Sequence, residues 1–179
     1  MILAISGSLR RASINSAVLR AAVTAAAREG IVVTIDDLVR KLPHFDPDLE
    51  EAPYEAVLRF REACEAASGV LLSVPEYAFG IPGAFKNGLD WTVGSGSLYG
   101  KPVTVLDVSA PGRGQNLRAA LGPVLTAIGA DVEYRALPGA ARTRDANGEF
   151  TDPETIEELG AIVAELAGRS PAQLPLRAR

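Results

Sequence analysis

Residues 69–91 read GVLLSVPEYAFGIPGAFKNGLDW. The first six residues form an almost unbroken apolar run, which is typical of a strand covered on both faces of a parallel sheet. Pro75 ends this run, and the pair Pro82 and Gly83 indicates the start of a helix. The stretch therefore predicts a strand, a shaped loop and a helix in succession, which is the repeating unit of α/β proteins.

The same unit recurs along the chain. Four apolar segments rich in β-branched residues and one weaker segment are predicted as strands: 2–6, 31–35, 69–74, 103–109 and 131–137. The first four are expected to be covered on both faces of the sheet because they are nearly continuously apolar. The pattern predicts one three-layer, doubly wound α/β domain over residues 1–167, with right-handed crossovers. Residues 168–179 have no helical stripe and are expected to form a mobile end.

Apolar residues spaced three and four apart predict the helices between these strands. The first helix should bury Ile14, Ala17, Val18, Ala21, Ala22 and Ala25. The next begins near Pro53 and should bury Val57, Phe60, Cys64 and Ala67. A helix before the fifth strand should bury Leu117, Leu121, Val124, Leu125 and Ile128. The last helix follows the predicted N-cap Asp152 and should bury Ile156, Leu159, Val163 and Leu166.

Charge and cysteine content restrict the possible partners. The chain has 18 basic and 22 acidic residues, a formal net charge of -4, and no dense cluster of Lys and Arg. Nucleic acid and anionic membranes are therefore not expected partners. The single cysteine, Cys64, excludes an internal disulfide and fits a reducing compartment. Because no apolar run approaches about 18 residues and no basic segment precedes MILAIS, we expect no membrane span, no signal peptide and a cytoplasmic location.

In a doubly wound sheet, ligands bind beyond the carboxyl ends of the strands, which directs attention to the loops after Ser6, Val74 and Val108. The first loop, SGSLRRASIN (6–15), lacks the glycine patterns of pyrophosphate and nucleoside triphosphate loops. Its hydroxyl, amide and N–H donors at a helix N-terminus suit a terminal monophosphate, with Arg10 as a charged donor. The alternative is that Ser13 or Asn15 only caps the helix and that the arginines are solvated.

The second loop, PEYAFG (75–80), is suited to a flat ring. The backbone N–H groups from Ala78 to Gly80 are candidate hydrogen-bond donors, and Tyr77 and Phe79 offer aromatic surface. Gly80 is expected to take a backbone conformation closed to other residues. For Glu76, the alternative to a place in the site is a solvated loop carboxylate.

Together, GSLRRASIN and PEYAFGIPGAFKNGLDW resemble the two hallmark segments of the NADPH-dependent FMN reductase family. The likeness continues through LPHFDPDLE, KPVTVLDVSAPGRG and NGEFTDPETIEEL, and it covers residues 1 to 167. It implies a flavodoxin-like fold with a five-stranded parallel sheet in the order 2-1-3-4-5.

The resemblance also implies which residues bind the cofactor FMN. Those at the phosphate would be Ser8, Arg10, Ser13 and Asn15. The isoalloxazine ring would be lined by Pro75, Glu76 and Tyr77 and by the backbone of Ala78, Phe79 and Gly80. The third loop, residues 109–114, would close over the pyrimidine end of the ring with Ser109, Gly112 and Gly114.

Two departures from the family pattern concern the second and third loops. The family usually has Asn and Ser where this chain has Ala78 and Gly80, so the side-chain hydrogen bonds of those residues are missing here. Phe79 lies between them, and we hypothesise that it replaces polar contact with stacking. The third loop reads APGRGQN, without the more continuous glycine run of relatives.

The function implied by the resemblance is that of an FMN-dependent NAD(P)H oxidoreductase of the FMN reductase or quinone reductase type. Hydride would pass from NAD(P)H through FMN to a small acceptor in a ping-pong mechanism, the acceptor being a flavin, quinone, nitro or azo compound or metal ion. No acid–base pair, triad or metal cluster is visible in the sequence, as expected where a cofactor carries the chemistry. A homodimer or homotetramer is implied as well.

Two alternatives stay open. The first is a flavodoxin-like electron carrier or redox-responsive protein that binds FMN without turning over nicotinamide, although its surface would usually be more acidic than a charge of -4 suggests. The second is a flavin reductase that uses FMN as a dissociable substrate.

Four further residues have simple structural interpretations. Cys64 lies on the apolar stripe of its helix and is predicted to be a buried structural thiol. His44 is predicted to be exposed, within reach of a substrate held by a neighbouring subunit. Lys86 and Asp90 are predicted to pair on a helix surface, and Trp91 is predicted to pack at a helix end or a subunit contact.

Overall fold

The computed structural model describes residues 1–51, 53–110, 113–137 and 144–169. In these residues five strands alternate with five α-helices, and two short 3-10 segments, Leu38–Arg40 and Pro47–Leu49, follow the second strand. The strands are β1 (Ile2–Ser6), β2 (Val33–Asp36), β3 (Gly69–Ser73), β4 (Pro102–Asp107) and β5 (Asp131–Ala136). The helices are α1 (Ile14–Arg28), α2 (Glu55–Ala66), α3 (Gly83–Val93), α4 (Gln115–Ile128) and α5 (Pro153–Gly168).

The strands form one parallel sheet in the order β2-β1-β3-β4-β5. The chain begins at β1, moves outward to β2, and then crosses back to β3 on the other side of β1. Loops that follow β1 and β3 therefore diverge and leave a crevice at the carboxyl edge of the sheet. The predicted flavodoxin-like α/β fold and its strand order are confirmed.

Helices cover both faces of the sheet. α1 and α5 pack on one face, and α2, α3 and α4 pack on the other. The predicted stripes of these helices are buried, except that Ile14 and Val124 are only partly so. Asp152 caps α5 as predicted, because its carboxylate accepts a hydrogen bond from the Thr155 N–H at 2.9 Å. No helix among the described residues is long and apolar enough to cross a bilayer.

Two expectations about the elements were wrong. β2 is not covered on both faces, since it lies at the edge of the sheet and Ile35 is 41% exposed. α2 begins at Glu55 and not near Pro53, because Tyr54 keeps an extended ψ of 150°. At the start of the C-terminal segment, Gly168 ends α5 and Arg169 contacts the Asp131 carboxylate at 2.7 Å, and the mobile end over residues 168–179 stays a prediction. The remainder of that segment, residues 170–179, lies outside the described residues.

The four residues with structural interpretations lie as predicted. Cys64 is fully buried, and burial raises the pKa of its thiol to about 12. Trp91 is buried, and its Nε1 donates to the Pro43 carbonyl at 3.0 Å. Lys86 and Asp90 pair at 2.5 Å on α3, and His44 is exposed.

Candidate functional site

A cleft of about 580 Å³ opens at the carboxyl edge of the sheet, where the segments after β1, β3 and β4 meet. These are the three loops that the sequence indicated. The cleft is lined by Ile14, Asn15, Val74, Pro75, Glu76, Phe79, Val108, Ser109, Ala110, Arg113, Gly114, Gln115 and Asn116.

The structure brings six of the predicted site residues to the wall of this cleft: Asn15, Pro75, Glu76, Phe79, Ser109 and Gly114. Six others lie in the same loops but not on the wall: Ser8, Arg10, Ser13, Tyr77, Ala78 and Gly80. Gly112 lies outside the described residues.

Sequence reasoning did not single out several wall residues. Val74 and Val108 were interpreted as strand ends, although the residue directly after a buried strand is the one that reaches the carboxyl edge. Arg113, Gln115 and Asn116 surround Gly114 at the start of α4. The sequence did indicate a helix start at these residues, because the chain there passes from a glycine-containing loop into a helical pattern.

The first loop presents hydrogen-bond donors at the start of α1. Ser13 is the N-cap, and its Oγ accepts from the Asn15 N–H at 3.2 Å, while the Ser8 Oγ accepts from the Arg10 N–H at 3.3 Å. Both hydroxyls are nearly buried and can still donate their own protons. The N–H groups of Ile14 and Ser16 in the first turn have no hydrogen-bond acceptor among the described residues. This end of α1 therefore favours an anion.

Asn15 is held from below by the sheet. The Ser73 hydroxyl at the end of β3 donates to the Asn15 Oδ1 at 2.9 Å, and both residues are buried. The first loop also lies tightly against β3, because the Gly7 N–H donates to the Ser73 carbonyl at 2.8 Å. A Cβ at Gly7 would lie 2.7 Å from the Val74 Cγ1, so this contact requires glycine. The carboxamide of Asn15 is thus fixed at the cleft floor.

The second loop is a tight hairpin turn. The N–H of Tyr77 donates to the Gly80 carbonyl at 3.1 Å, and the N–H of Gly80 donates to the Tyr77 carbonyl at 2.9 Å. The two central residues, Ala78 and Phe79, have φ values of 49° and 61°. Reciprocal hydrogen bonds around two left-handed residues define a type I′ turn, which usually contains Gly, Asn or Asp.

This geometry corrects two expectations about Gly80. Its φ is not positive, because the turn places the left-handed conformation one and two residues earlier. Its N–H is also not available to a ligand, since it bonds to the Tyr77 carbonyl. The N–H groups of Ala78 and Phe79 remain as donors, without acceptors among the described residues. The backbone donors of this loop are therefore two rather than three.

Glu76 joins the second loop to the start of α4. Its Oε2 accepts from the Leu117 N–H, and its Oε1 accepts from the Asn116 Nδ2, both at 3.1 Å. The N-cap of α4 is Gly114, which has φ 84° and no side chain to cap the helix. A Cβ there would lie 2.8 Å from the Ser109 Oγ. The cap is therefore supplied by Glu76, and the interpretation of Glu76 as a solvated carboxylate was wrong.

Comparison with known proteins agrees with this architecture. The family model for NADPH-dependent FMN reductase matches residues 1–141. The chain is 33% identical over 164 residues to an NAD(P)H-dependent FMN reductase of Pseudomonas aeruginosa, covering 87% of each chain. A quinone reductase of Pseudomonas putida is 33% identical over 170 residues, covering 90% of this chain and 89% of that one.

Solved structures give the same picture. The flavoenzyme FerB of Paracoccus denitrificans, an NAD(P)H:acceptor oxidoreductase, superposes with a TM-score of 0.74 and 29% sequence identity. The superposition covers 93% of this chain and 94% of FerB. The fold, the cleft between the three loops and the family match lead to one conclusion: the chain belongs to the NADPH-dependent FMN reductase family.

Proposed function

We propose that this protein is an FMN-dependent NAD(P)H oxidoreductase that passes electrons to a small acceptor: a flavin, a quinone, a nitro or azo compound or a metal ion. The observation that carries the proposal is the meeting of three segments at one cleft. These segments are the N-terminus of α1, the turn at residues 77–80 and the N-terminus of α4. The relatives named as NAD(P)H-dependent FMN reductase and quinone reductase support it.

The cleft and the start of α1 beside it fit a phosphorylated flavin. The start of α1 combines two nearly buried hydroxyls with N–H groups that have no acceptor among the described residues, which suits a phosphate at a helix N-terminus. In our proposal the phosphate is bound by Ser8, Arg10, Ser13 and Asn15. The ring lies against Pro75, Glu76 and Tyr77 and against the backbone of Ala78, Phe79 and Gly80, and the third loop closes over it with Ser109, Gly112 and Gly114.

When bound, FMN supplies the hydride acceptor, so the chain itself needs no acid–base pair. The protein's part is binding and orientation. Ser73 fixes the Asn15 carboxamide, and Glu76 joins the second loop to the first turn of α4. The N–H groups of Ala78 and Phe79 have no acceptor among the described residues, and in our proposal they stabilise negative charge on the bound ring. We propose that both substrates use this one cleft and that the order is therefore ping-pong, with NAD(P)+ leaving before the acceptor binds.

A second candidate differs only in how FMN is held. The chain lacks the Asn and Ser that the family usually has at Ala78 and Gly80, and the Gly80 N–H is already bonded within the turn. Both features favour weaker flavin binding, with FMN acting as a substrate. Gel filtration of the purified protein distinguishes the two: a yellow protein retains FMN as a prosthetic group, and a colourless one releases it.

A homodimer or homotetramer and a cytoplasmic location are further parts of the proposal. The first is supported by a groove of about 710 Å³ beside α3, whose apolar lining includes Val39, Leu42, Phe45, Ile81 and Ala84. His44 also lines this groove. Light scattering tests the oligomeric state, and a monomer in solution would contradict the proposed homodimer or homotetramer. The location is supported by the single cysteine and the nicotinamide donor, and fluorescence imaging of the tagged protein in its own cells tests it.

Steady-state oxidation of NADPH by the FMN-loaded protein, with menadione as acceptor, tests the proposed activity. We expect turnover and parallel lines in double-reciprocal plots. A protein that binds FMN but oxidises neither NADPH nor NADH would be an electron carrier, and the proposal would be wrong.

A further inference from the structure

Phe79 differs in exposure from the buried residues of the cleft wall. Phe79 is 80% exposed, whereas Asn15, Val74 and Val108 on the same wall are 3%, 5% and 7% exposed. The three buried residues form the floor of the cleft, and Phe79 stands at its mouth. A ligand that enters after the floor is filled meets the Phe79 ring.

Neither the turn nor the core explains a phenylalanine at this position. The residue has φ 61°, a left-handed conformation in which a side chain is disfavoured and glycine or asparagine is usual. Its ring is not buried against the protein, so hydrophobic packing does not compensate for that conformation. A strained residue that persists at a ligand cleft points to contact with the ligand.

We propose that Phe79 is a specificity-determining residue that favours planar aromatic acceptors, such as quinones, by stacking its ring against them at the cleft mouth. This inference rests on the proposed oxidoreductase function and names the acceptor class for it. An exposed aromatic ring binds a second aromatic ring through offset or edge-to-face contact. It contributes little binding energy to a compact inorganic ion. The backbone of Phe79 keeps its separate place in lining the cleft.

The reactions to be compared are balanced as follows. With a quinone, NADPH and one proton from solvent give NADP+ and the hydroquinone, a transfer of two electrons. With ferricyanide, two ions are each reduced by one electron for every NADPH oxidised, and a proton is released. The electron donor is the same in both reactions, so a difference between them reports on the acceptor alone.

The test compares Phe79→Leu, which removes the ring and keeps an apolar side chain in the same turn, with Phe79→Trp, which keeps an aromatic ring. Tyr54→Leu is the matched control, because Tyr54 is an exposed aromatic residue outside the cleft. For each protein, kcat/KM is measured for menadione and for ferricyanide at saturating NADPH. The Kd for FMN is measured by quenching of flavin fluorescence.

We expect Phe79→Leu to lower the ratio of kcat/KM for menadione to that for ferricyanide by roughly two- to tenfold, the range expected for loss of an aromatic pair. Phe79→Trp should restore the ratio, and Tyr54→Leu should not change it. An unchanged ratio in Phe79→Leu would overturn the proposal. The proposal would also be overturned if Phe79→Leu bound FMN more weakly and lowered kcat/KM for menadione and for ferricyanide by the same factor. The Phe79 ring would then hold the cofactor and not the acceptor.

The wild-type protein separates this inference from the function on which it rests. Turnover with ferricyanide but not with menadione would keep the oxidoreductase function and overturn the role of Phe79. Absence of NADPH oxidation with either acceptor would overturn both.

Discussion

The carboxylate of Glu76 accepts a hydrogen bond from the backbone N–H of Leu117 at 3.1 Å, although the two residues are 41 positions apart in the chain. The N-cap of α4, Gly114, has no side chain, and a residue of the loop after β3 takes over its capping role. One carboxylate therefore joins two walls of the candidate flavin cleft.

Replacement of Glu76 by alanine should lower the free energy of unfolding by about 1 kcal/mol, because the first turn of α4 loses its capping acceptor. Glu76→Gln should lose less, since the amide oxygen can still accept from the Leu117 N–H. Urea unfolding followed by circular dichroism measures both effects. Asn116→Ala is the matched control, because it removes the other partner of Glu76 and leaves the cap. An alanine variant as stable as the wild type would show that Glu76 does not cap the helix.

Gly114 should not tolerate a side chain. Its φ of 84° disfavours L-residues, and a Cβ would lie 2.8 Å from the Ser109 Oγ and 2.9 Å from an Asp107 carboxylate oxygen. We expect Gly114→Ala to cost more than about 1 kcal/mol of stability and to weaken FMN binding by displacing the third loop. Thermal unfolding and a flavin titration measure the two effects.

Gly83 provides the comparison for this experiment. It lies in the first turn of α3, and a Cβ there would meet no heavy atom within 4 Å. Gly83→Ala should leave stability unchanged or raise it by up to about 1 kcal/mol, because alanine has the higher helix propensity. Equal losses of stability in Gly114→Ala and Gly83→Ala would contradict the role assigned to the left-handed conformation of Gly114.

The turn at residues 77–80 should become more stable when its strain is relieved. Ala78 has φ 49°, and glycine there removes the steric conflict of the Cβ. We expect Ala78→Gly to raise the free energy of unfolding by about 0.5 to 1 kcal/mol after the entropy of the more flexible unfolded chain is counted. Urea unfolding tests this. Gly80→Ala should be tolerated, since its φ is not positive and the nearest atom to a Cβ is 3.9 Å away.

The Cys64 thiol should not react with alkylating reagents in the folded protein. Burial raises the pKa of its thiol from 9.0 to about 12, so the thiolate is not formed near neutral pH. Iodoacetamide at about pH 8 should label the protein only after denaturation, as measured by mass spectrometry. Rapid labelling of the native protein would show that the thiol is accessible.

The same shift in pKa predicts a dependence of stability on pH. The folded state keeps the thiol proton between about pH 9 and pH 12, whereas the unfolded state releases it. The free energy of unfolding is therefore unaffected by this ionisation below pH 9, and it falls as the pH rises from 9 toward 12. Urea unfolding across this range should show a steeper decline for the wild type than for Cys64→Ala.

The sheet and its helices could be predicted from local pattern, and the reasons are visible in particular residues. β3 is apolar at nearly every position because both of its faces are covered, and Asp152 followed by Pro153 is a local start signal for α5. Local pattern failed for β2, because Ile35 has the sequence character of a buried strand residue and lies at an exposed sheet edge. Only the strand order determines which strand becomes the edge.

The site could be predicted as three loops but not as contacts. Asn15 and Glu76 were identified, while their partners Ser73 and Leu117 were not, because those pairs form between segments far apart in the chain. The conformation of the second loop could not be predicted from the sequence either. Phe79 gives no local indication of a left-handed φ, and the nearby Gly80 indicated the wrong position.

A crystal structure of the protein with bound FMN tests the central claim most directly. The account predicts electron density for the phosphate at the first turn of α1, within hydrogen-bonding distance of the Ser13 hydroxyl. It predicts the isoalloxazine ring in the cleft between the turn at residues 77–80 and the loop at residues 109–114. A flavin bound instead in the groove beside α3, or absent from crystals grown with excess FMN, would contradict the account.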